Sequence, residues 1–363
     1  MRVADFDFEL PESLIAQQPR PRGGSRLLVV ERKAGVWREQ MFRDLPNLVD
    51  PGDLLVVNDT QVFPARLIGR RDPSGGGVEC FLLQREPVEP VEPGEPGELW
   101  QALMHPGQKL KPGARFIVDD PGRAPGVVIR GEVLERLFHG RRRVRLAGAG
   151  APSLDGSSSI DRAIDALGHM PLPPYIHRSD TDTDRDRYQT VYARARGSIA
   201  APTAGLHFDG PVIAALDARG VRRAPVTLHV GYGTFKPVRV DEVERHTVDP
   251  ERYDVPEATG RAIAATKAAG HRVVAVGTTT TRALEHWAGH GRRPGPAAAD
   301  EFIYPGFAFR AVDALVTNFH LPRSSLFMLV SALAGRELML AAYNDAIRRE
   351  FAFYSYGDAM LIL

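Results

Sequence analysis

Cysteine and long apolar runs are the scarcest features of this 363-residue chain. Its one cysteine, Cys80, excludes an internal disulfide framework and a cysteine-based zinc site. No segment approaches the roughly 18 consecutive apolar residues of a membrane-spanning helix, so we expect no membrane span. The N-terminus carries acidic residues where a signal peptide needs a basic start and an apolar run. These absences predict a cytoplasmic protein.

An excess of charge of either sign is also lacking. The 46 Lys and Arg residues nearly balance the 45 Asp and Glu residues, which leaves a formal net charge of +1. The chain therefore has no overall basic character of the kind that drives non-specific nucleic-acid binding, and an RNA partner would have to meet a local basic patch. The length predicts two domains.

The pattern of apolar and turn-forming residues changes in the first half of the chain. Between residues 66 and 145, short β-rich segments such as ARLIGR, VECFLL and GVVIRGEVLE are separated by Gly or Pro, which favours a small antiparallel barrel. Elsewhere, strands alternate with helices. We therefore predict an α/β main domain with a mixed sheet or barrel, formed by residues 1–66 and 151–363, and an inserted antiparallel β-barrel domain at 67–150. Residues 5–19 are predicted to form a short helix.

Polar residues follow a buried strand in the most informative stretch of the sequence. The apolar run Val312–Val316 leads into Thr317, Asn318, Phe319 and His320, and a proline and a Ser-capped helix come next. A strand that ends in polar side chains and turns into a helix commonly places those side chains in an α/β cleft. The alternative is a loop whose polar groups are satisfied locally.

Similar polar turns occur elsewhere in the chain, each with a plain structural alternative. Asn58, Asp59 and Thr60 follow a buried strand and form either a ligand site or an ordinary Asx turn. Gly277 and four threonines open a helix, which favours either anion binding or simple N-capping. The spacing of His246, Asp249 and Glu251 suggests a metal site, but we expect a solvated loop and no metal.

Several long motifs together resemble one family, the S-adenosylmethionine:tRNA ribosyltransferase-isomerases of queuosine biosynthesis. The matching stretches include FELPESLIAQQP, GDLLVVNDTQVFPARLIGR, YQTVYARARGSIAAPTAGLHF, LHVGYGTFKPVR, VVAVGTTTTRALE and FIYPGFAFRAVDALVTNFHLPRSSLFMLVSALAG. The resemblance implies an enzyme that transfers the ribosyl unit of S-adenosylmethionine to 7-aminomethyl-7-deazaguanine at the wobble position of tRNAs with GUN anticodons. It then isomerises that unit to the epoxycyclopentanediol of epoxyqueuosine, and adenine and methionine leave. S-Adenosylmethionine is a co-substrate, and no separate cofactor is expected.

The resemblance and the chemistry it requires select candidate residues. Proton transfer asks for a group that titrates near neutrality, which favours histidine, and a cationic sulfonium favours aromatic neighbours. The candidate catalytic residues are His320, His207, His229 and Asp59. The candidate substrate-binding residues are Asn58, Thr60, Arg66, Thr203, Gly205, Phe208, Gly231, Tyr232, Gly233, Thr234, Phe235, Thr279, Arg282, Tyr304 and Asn318. The expected role of Arg282 is to hold the methionine carboxylate. The candidate tRNA-binding residues are Arg70, Arg71, Arg141, Arg142 and Arg143.

The sequence departs from the family at a few positions and leaves other functions open. Asp249 stands where members of the family often have a second histidine, which argues against a metal or proton-transfer role for that loop. A nucleosidase or lyase that acts on S-adenosylmethionine without RNA, and a non-catalytic RNA-binding protein, are the alternatives. The sequence has no heptad pattern and no unpaired apolar face that would indicate a partner subunit, so we predict a monomer.

Overall fold

The computed structural model describes residues 1–87, 97–149, 159–231, 233 and 236–363. They divide into two compact units. Unit 1 comprises Met1–Gln61, Pro173–Ser179 and Asp186–Leu363, and unit 2 comprises Val62–Leu172 and Asp180–Arg185. The predicted fold class is confirmed: the chain has a mixed nine-stranded sheet with helices and a closed six-stranded antiparallel β-barrel.

Seventeen strands and seven α-helices are found in the described residues. The strands are β1 (Arg26–Glu31), β2 (Val36–Met41), β3 (Leu54–Asn58), β4 (Thr60–Val62), β5 (Arg66–Asp72), β6 (Gly77–Arg85), β7 (Glu98–His105), β8 (Arg115–Asp119), β9 (Val128–Arg136), β10 (Arg141–Ala149), β11 (Ala195–Ser198), β12 (Arg222–Leu228), β13 (Glu251–Val255), β14 (Val273–Val276), β15 (Gly295–Ala299), β16 (Ala314–Asn318) and β17 (Ala359–Ile362). The helices are α1 (Ser159–Leu167), α2 (Asp182–Arg187), α3 (Gly210–Ala218), α4 (Glu257–Ala268), α5 (Thr278–Gly289), α6 (Ser325–Ala334) and α7 (Arg336–Arg348).

The large sheet has four parallel strands at its centre. Its order is β15-β13-β12-β3-β14-β16-β17-β1-β2, and β12, β3, β14 and β16 run in the same direction. Every residue of β3, β14 and β16 is buried. On β3, Leu54 and Val56 pack into one apolar cluster, whereas Leu55 and Val57 pack into another. Such continuous apolar runs are typical of parallel strands that are covered on both faces, so the polar residues appear only where these strands end.

The barrel of unit 2 closes in the order β10-β7-β6-β5-β8-β9. Alternate residues of its strands are buried, as the two-residue period of a strand with one face in a core requires. Gly131 on β9 faces the ring of Phe116, and a Cβ atom at this position would lie 2.1 Å from that ring. Glycine is therefore required there for close packing.

The predicted helix at residues 5–19 is wrong. The segment contains only two short 3₁₀ turns, Val3–Phe6 and Glu12–Leu14. Phe6 and Phe8 are buried, and Leu10 packs against the same core, which is the alternation of an extended chain rather than the stripe of a helix. The buried side chains decide the conformation here.

The helices were also compared with the length and apolar character that a membrane crossing needs. No single helix of the described residues meets both criteria. Helices α6 and α7 meet them only as a pair, across a bend of 115°. Residues of both helices, including Phe327, Met328 and Met339, are buried in the apolar core of unit 1.

Candidate functional site

The polar ends of the parallel strands lie at one edge of the sheet in unit 1. Strand β14 ends at Val276, which pairs with Val316 two residues before the end of β16. On the other side, Val226 of β12 pairs with Asn58 at the end of β3. Because the carboxyl ends of parallel strands open a crevice in α/β sheets, this edge is the first place to look for a site.

A small cavity opens above β14 and β16. We call it the central cavity. It is lined by Ala200, Ala201, Pro202, Thr203, Ala204, Val230, Gly277, Thr278, Thr279, Thr317, Asn318, Phe319, His320, Leu326, Tyr354 and Ser355. Four predicted site residues are among them, namely Thr203, Thr279, Asn318 and His320. None of these described lining residues is Asp, Glu, Lys or Arg.

Asn318 is held by a network of buried hydrogen bonds. Its side-chain Nδ2 donates to the carbonyl of Tyr354 at 3.0 Å and to Nε2 of His207 at 3.1 Å. The other ring nitrogen of His207, Nδ1, lies 2.8 Å from Oγ of Ser25. His207 thus lies behind the cavity wall and supports Asn318. The Oδ1 atom of Asn318 has no hydrogen-bond partner in the described part of the chain.

Two of the three predicted catalytic histidines, His320 and His207, do not have the near-neutral pKa that the proton transfer needs. Burial lowers the pKa of His320 and of His207 to about 3, and burial also lowers the pKa of His229. Nε2 of His320 lies 3.0 Å from Oγ1 of Thr317, and its backbone N–H donates to the hydroxyl of Tyr343. These rings are neutral at pH 7, and His320 is a weak base in this environment.

The amino terminus of α5 forms part of the wall of the central cavity. Gly277 precedes the helix with φ +92°, a value that favours glycine, and no side chain among the described residues caps the helix. The N-capping alternative is therefore wrong. The hydroxyls of Thr280 and Thr281 donate to the carbonyls of Val276 and Gly277, whereas Oγ1 of Thr279 is buried without a partner.

The polar side chains at the end of β3, Asn58 and Asp59, are hydrogen-bonded within the protein. Asn58 bridges to β12, since its Nδ2 donates to the carbonyl of Leu228 and its Oδ1 accepts from the backbone N–H of Leu228 and of Thr60. This includes the Asx-type bond that the alternative reading required. The carboxylate of Asp59 accepts from Arg194 at 2.8 Å and from Thr227 at 2.6 Å.

Thr60 and His229 belong to the same region. Oγ1 of Thr60 lies 2.8 Å from Nδ1 of His229, and the ring of His229 covers Gly197, where a Cβ atom would lie 2.7 Å from it. None of Asn58, Asp59, Thr60 and His229 lines the central cavity.

Arg282 lies in a second, smaller cavity and already has a carboxylate partner. Its guanidinium donates to Oε2 of Glu251, whose Oε1 accepts from the backbone N–H of Gly231 at 3.2 Å. Glu251 is 4% exposed, so the expectation of a solvated loop is wrong at this residue. Asp249 accepts from Lys236 at 2.6 Å, and a Cβ atom on Gly233 would lie 2.8 Å from the Asp249 carboxylate. No group of three metal-ligating side chains occurs among residues that the structure describes.

The remaining predicted substrate-binding residues have different surroundings. Gly205 provides room for its neighbours, because a Cβ atom there would lie 2.3 Å from the hydroxyl of Tyr192. Phe208 is fully buried and packs on Phe42 with ring centroids 4.9 Å apart. Tyr304 packs on Phe302 at 5.2 Å and does not line the central cavity. Tyr232, Thr234 and Phe235 lie outside the described residues.

The arginines of unit 2 are engaged with barrel residues. Arg66 makes a bidentate ion pair with Glu79, Arg70 pairs with Asp119, and Arg143 contacts Glu86 and Glu135. Arg142 is 8% exposed, and its guanidinium donates to backbone carbonyls, including those of Leu110 and Gly107. Its burial is at odds with the predicted tRNA contact. Arg71 is half-buried and Arg141 is partly exposed.

Comparison with known proteins places these residues in a family. The family model described as "Queuosine biosynthesis protein" matches residues 3–362. The chain is 50% identical to the S-adenosylmethionine:tRNA ribosyltransferase-isomerase of Geotalea uraniireducens over the full length of both proteins. It is also 50% identical to the enzyme of that name from an Anaeromyxobacter species, over 100% of this chain and 99% of the relative.

The chain belongs to the S-adenosylmethionine:tRNA ribosyltransferase-isomerase family. The resemblance noted from the motifs is thereby confirmed. The structure is similar to a crystal structure of the S-adenosylmethionine tRNA ribosyltransferase from Thermotoga maritima, with a TM-score of 0.53 and 35% sequence identity. The alignment covers 99% of this chain and 100% of the Thermotoga maritima chain.

Two cavity residues of this family member were missed by sequence reasoning. Tyr354 and Ser355 lie in the loop before β17 and line the central cavity. Tyr354 has φ +74°, and burial raises the pKa of its hydroxyl to about 12. A signal was present, because the segment YSYGD contains a glycine and an aspartate, which are disfavoured in strands.

Proposed function

We propose that this chain transfers the ribosyl unit of S-adenosylmethionine to the aminomethyl group of 7-aminomethyl-7-deazaguanine at the tRNA wobble position. The unit is isomerised to the epoxycyclopentanediol of epoxyqueuosine. In this reaction the C5′–S bond breaks to release methionine and the C1′–N9 bond breaks to release adenine. The observation that carries the proposal is the 50% identity, over the whole chain, to enzymes that bear this name.

The central cavity supports the donor half of the proposal. It has apolar walls, buried polar atoms without partners, and a helix amino terminus, which is the composition of a small-molecule site. The sulfonium acidifies the neighbouring C5′ protons, so a base next to that carbon starts the chemistry.

We retain His320, His207, His229 and Asp59 as candidate catalytic residues, with His320 first because it alone of the four lines the cavity. Its neutral ring has a lone pair available, but the lowered pKa makes it a weak base. A single-turnover rate that is undiminished in His320→Ala would remove it from the base role.

The acceptor half of the proposal assigns tRNA contact to the barrel of unit 2. Arg70, Arg71, Arg141 and Arg143 would contact phosphates, which position an RNA without reading its sequence. We assign no phosphate contact to Arg142, because it is buried and its guanidinium donates to backbone carbonyls. The target base would be read as an unstacked anticodon-loop nucleotide. We propose that the enzyme is a monomer that needs no cofactor besides its co-substrate.

The experiment measures adenine release from S-adenosylmethionine with and without tRNA that carries 7-aminomethyl-7-deazaguanine. The proposal predicts release that depends on this tRNA. Equal release without RNA would identify a nucleosidase or lyase instead. Binding of tRNA without binding of S-adenosylmethionine would identify an RNA-binding protein.

A further inference from the structure

The central cavity contains two buried polar atoms that nothing in the described protein satisfies. They are Oδ1 of Asn318 and Oγ1 of Thr279, on residues that are 3% and 7% exposed. Native proteins pair the large majority of their buried polar atoms, so two orphans in one cavity point to an absent partner. Both residues line the same cavity.

The side chain of Asn318 keeps one hydrogen-bond acceptor, Oδ1, without a partner among the described residues. A backbone carbonyl can only accept, so the bond to Tyr354 requires that the amino group of the amide faces it. The same amino group donates to Nε2 of His207, which is available as an acceptor because the buried ring is neutral. The amide orientation is thus fixed from behind, and Oδ1 is left for a donor group of the ligand.

The wall formed by α5 presents donors and favours negative charge. The helix has 12 residues, and none of the described side chains caps its first turn, so its amino terminus keeps a partial positive charge. The hydroxyl of Thr279 adds a donor that has no acceptor in the protein. Gly277 N–H donates to the carbonyl of Val316 at 2.8 Å, which joins the start of α5 to β16, the strand that ends at Asn318.

The charge of the lining restricts the ligand group further. Among the described residues that line the cavity, none is acidic or basic except His320, which is neutral, so the cavity fits a group with no net charge that has a donor end and an anionic end. Within S-adenosylmethionine, the α-amino-acid end has this character.

We propose that the central cavity holds the α-amino-acid end of S-adenosylmethionine, with the α-ammonium group donating to Oδ1 of Asn318 and the α-carboxylate accepting from Thr279 and the first turn of α5. The inference rests on the proposed function and specifies its donor site. It also replaces the expected role of Arg282, because that guanidinium already pairs with Glu251.

The test uses Thr279→Val and measures binding by calorimetry with two probes. S-Adenosylmethionine has the carboxylate, whereas decarboxylated S-adenosylmethionine lacks it and keeps the sulfonium, adenosine and amine. Loss of a hydrogen bond to a charged group predicts that the Kd for S-adenosylmethionine rises about 10- to 100-fold. The Kd for the decarboxylated probe should stay within about twofold, since the lost hydroxyl has no partner in that complex.

Thr280→Val is the matched control. It removes the same hydroxyl one residue further along α5, where Oγ1 donates to the carbonyl of Val276 at 2.6 Å. It should keep the wild-type preference for S-adenosylmethionine over the decarboxylated probe. The thermal midpoint of free Thr279→Val should not fall, because its hydroxyl makes no bond in the free protein, and this readout separates lost binding from misfolding.

Two results would overturn the inference. Equal weakening of both probes would mean that Thr279 contacts another part of the ligand, and unchanged binding of both would mean that it contacts none. If the variant fails this test while wild type binds S-adenosylmethionine and modifies tRNA, only the inference fails. If wild type does not bind S-adenosylmethionine, the proposed function itself fails.

Discussion

The buried His207 makes unit 1 sensitive to acid. Its ring is 4% exposed, with Ser25 at one nitrogen and the amino group of Asn318 at the other. Protonation would remove the acceptor that Nε2 offers to Asn318 and would place a charge in the apolar core next to Phe42. Burial, with a smaller effect of nearby Arg22, accordingly lowers the pKa of His207 to about 3.

The size of the effect follows from the difference in pKa between the unfolded and folded states. An unfolded histidine titrates near 6.5, so between pH 6.5 and pH 3 the unfolded state binds a proton that the folded state does not. The stabilising contribution of neutral His207 is therefore complete above about pH 6.5 and is lost as the pH falls toward 3. From pH 7 to pH 5 this linkage removes about 2 kcal/mol from the free energy of unfolding.

The perturbation is His207→Gln, and the measurement is the pH dependence of urea unfolding rather than stability at one pH. Trp37 and Trp287 lie in unit 1, and the third tryptophan, Trp100, lies in unit 2. A Trp100→Phe background therefore makes fluorescence report on unit 1 alone. The variant should lose about 2 kcal/mol less than its parent between pH 7 and pH 5.

Carboxyl groups with raised pKa values, such as Glu285 and Asp358, act in the opposite direction but are present in both proteins, so they cancel in the comparison. Replacement of the exposed His139 by Gln is the control and should keep the parental pH dependence. Identical pH dependence in parent and His207→Gln would refute the reasoning that burial keeps this ring neutral.

Two further predictions concern ion pairs and arginines. Glu251→Gln leaves Arg282 buried without its counter-charge and should destabilise unit 1 by about 3–5 kcal/mol in urea unfolding. The double variant with Arg282→Met should regain much of that loss, and a double variant no more stable than the single one would contradict this. Arg143→Glu should lower the affinity for tRNA and the salt dependence of tRNA binding in filter-binding titrations. Arg142→Met should lower the stability of the barrel and leave the salt dependence of tRNA binding unchanged, because its guanidinium is buried. The reverse pattern would show that Arg142 is the phosphate contact.

Local features of the sequence were sufficient to predict the strands that carry the site. The runs that became β3, β14 and β16 are short, apolar and followed at once by polar residues, so their identity as buried strands needs no knowledge of distant residues. The inserted barrel was also predictable from its short strands with turn residues between them. Asn318 and Thr279 followed from the same logic, since each comes just after such a strand or at its end.

What the sequence could not predict is which polar groups are already used inside the protein. Asn58 has the residue type of a ligand site and Arg142 that of a phosphate contact. In the structure, however, Asn58 donates to the backbone carbonyl of Leu228 and Arg142 donates to that of Leu110, both distant in sequence. Tyr354 reaches the cavity because β17, the last strand, inserts between β16 and β1. These contacts depend on long-range pairing, which no local pattern encodes.

The most direct test of the central claim is mass spectrometry of nucleosides from tRNA that carries 7-aminomethyl-7-deazaguanine, after incubation with this protein and S-adenosylmethionine. The account predicts a new nucleoside with the mass of the epoxycyclopentanediol adduct, formed together with adenine and methionine. Well-folded protein that binds both substrates and leaves the 7-aminomethyl-7-deazaguanine nucleoside unchanged would contradict it.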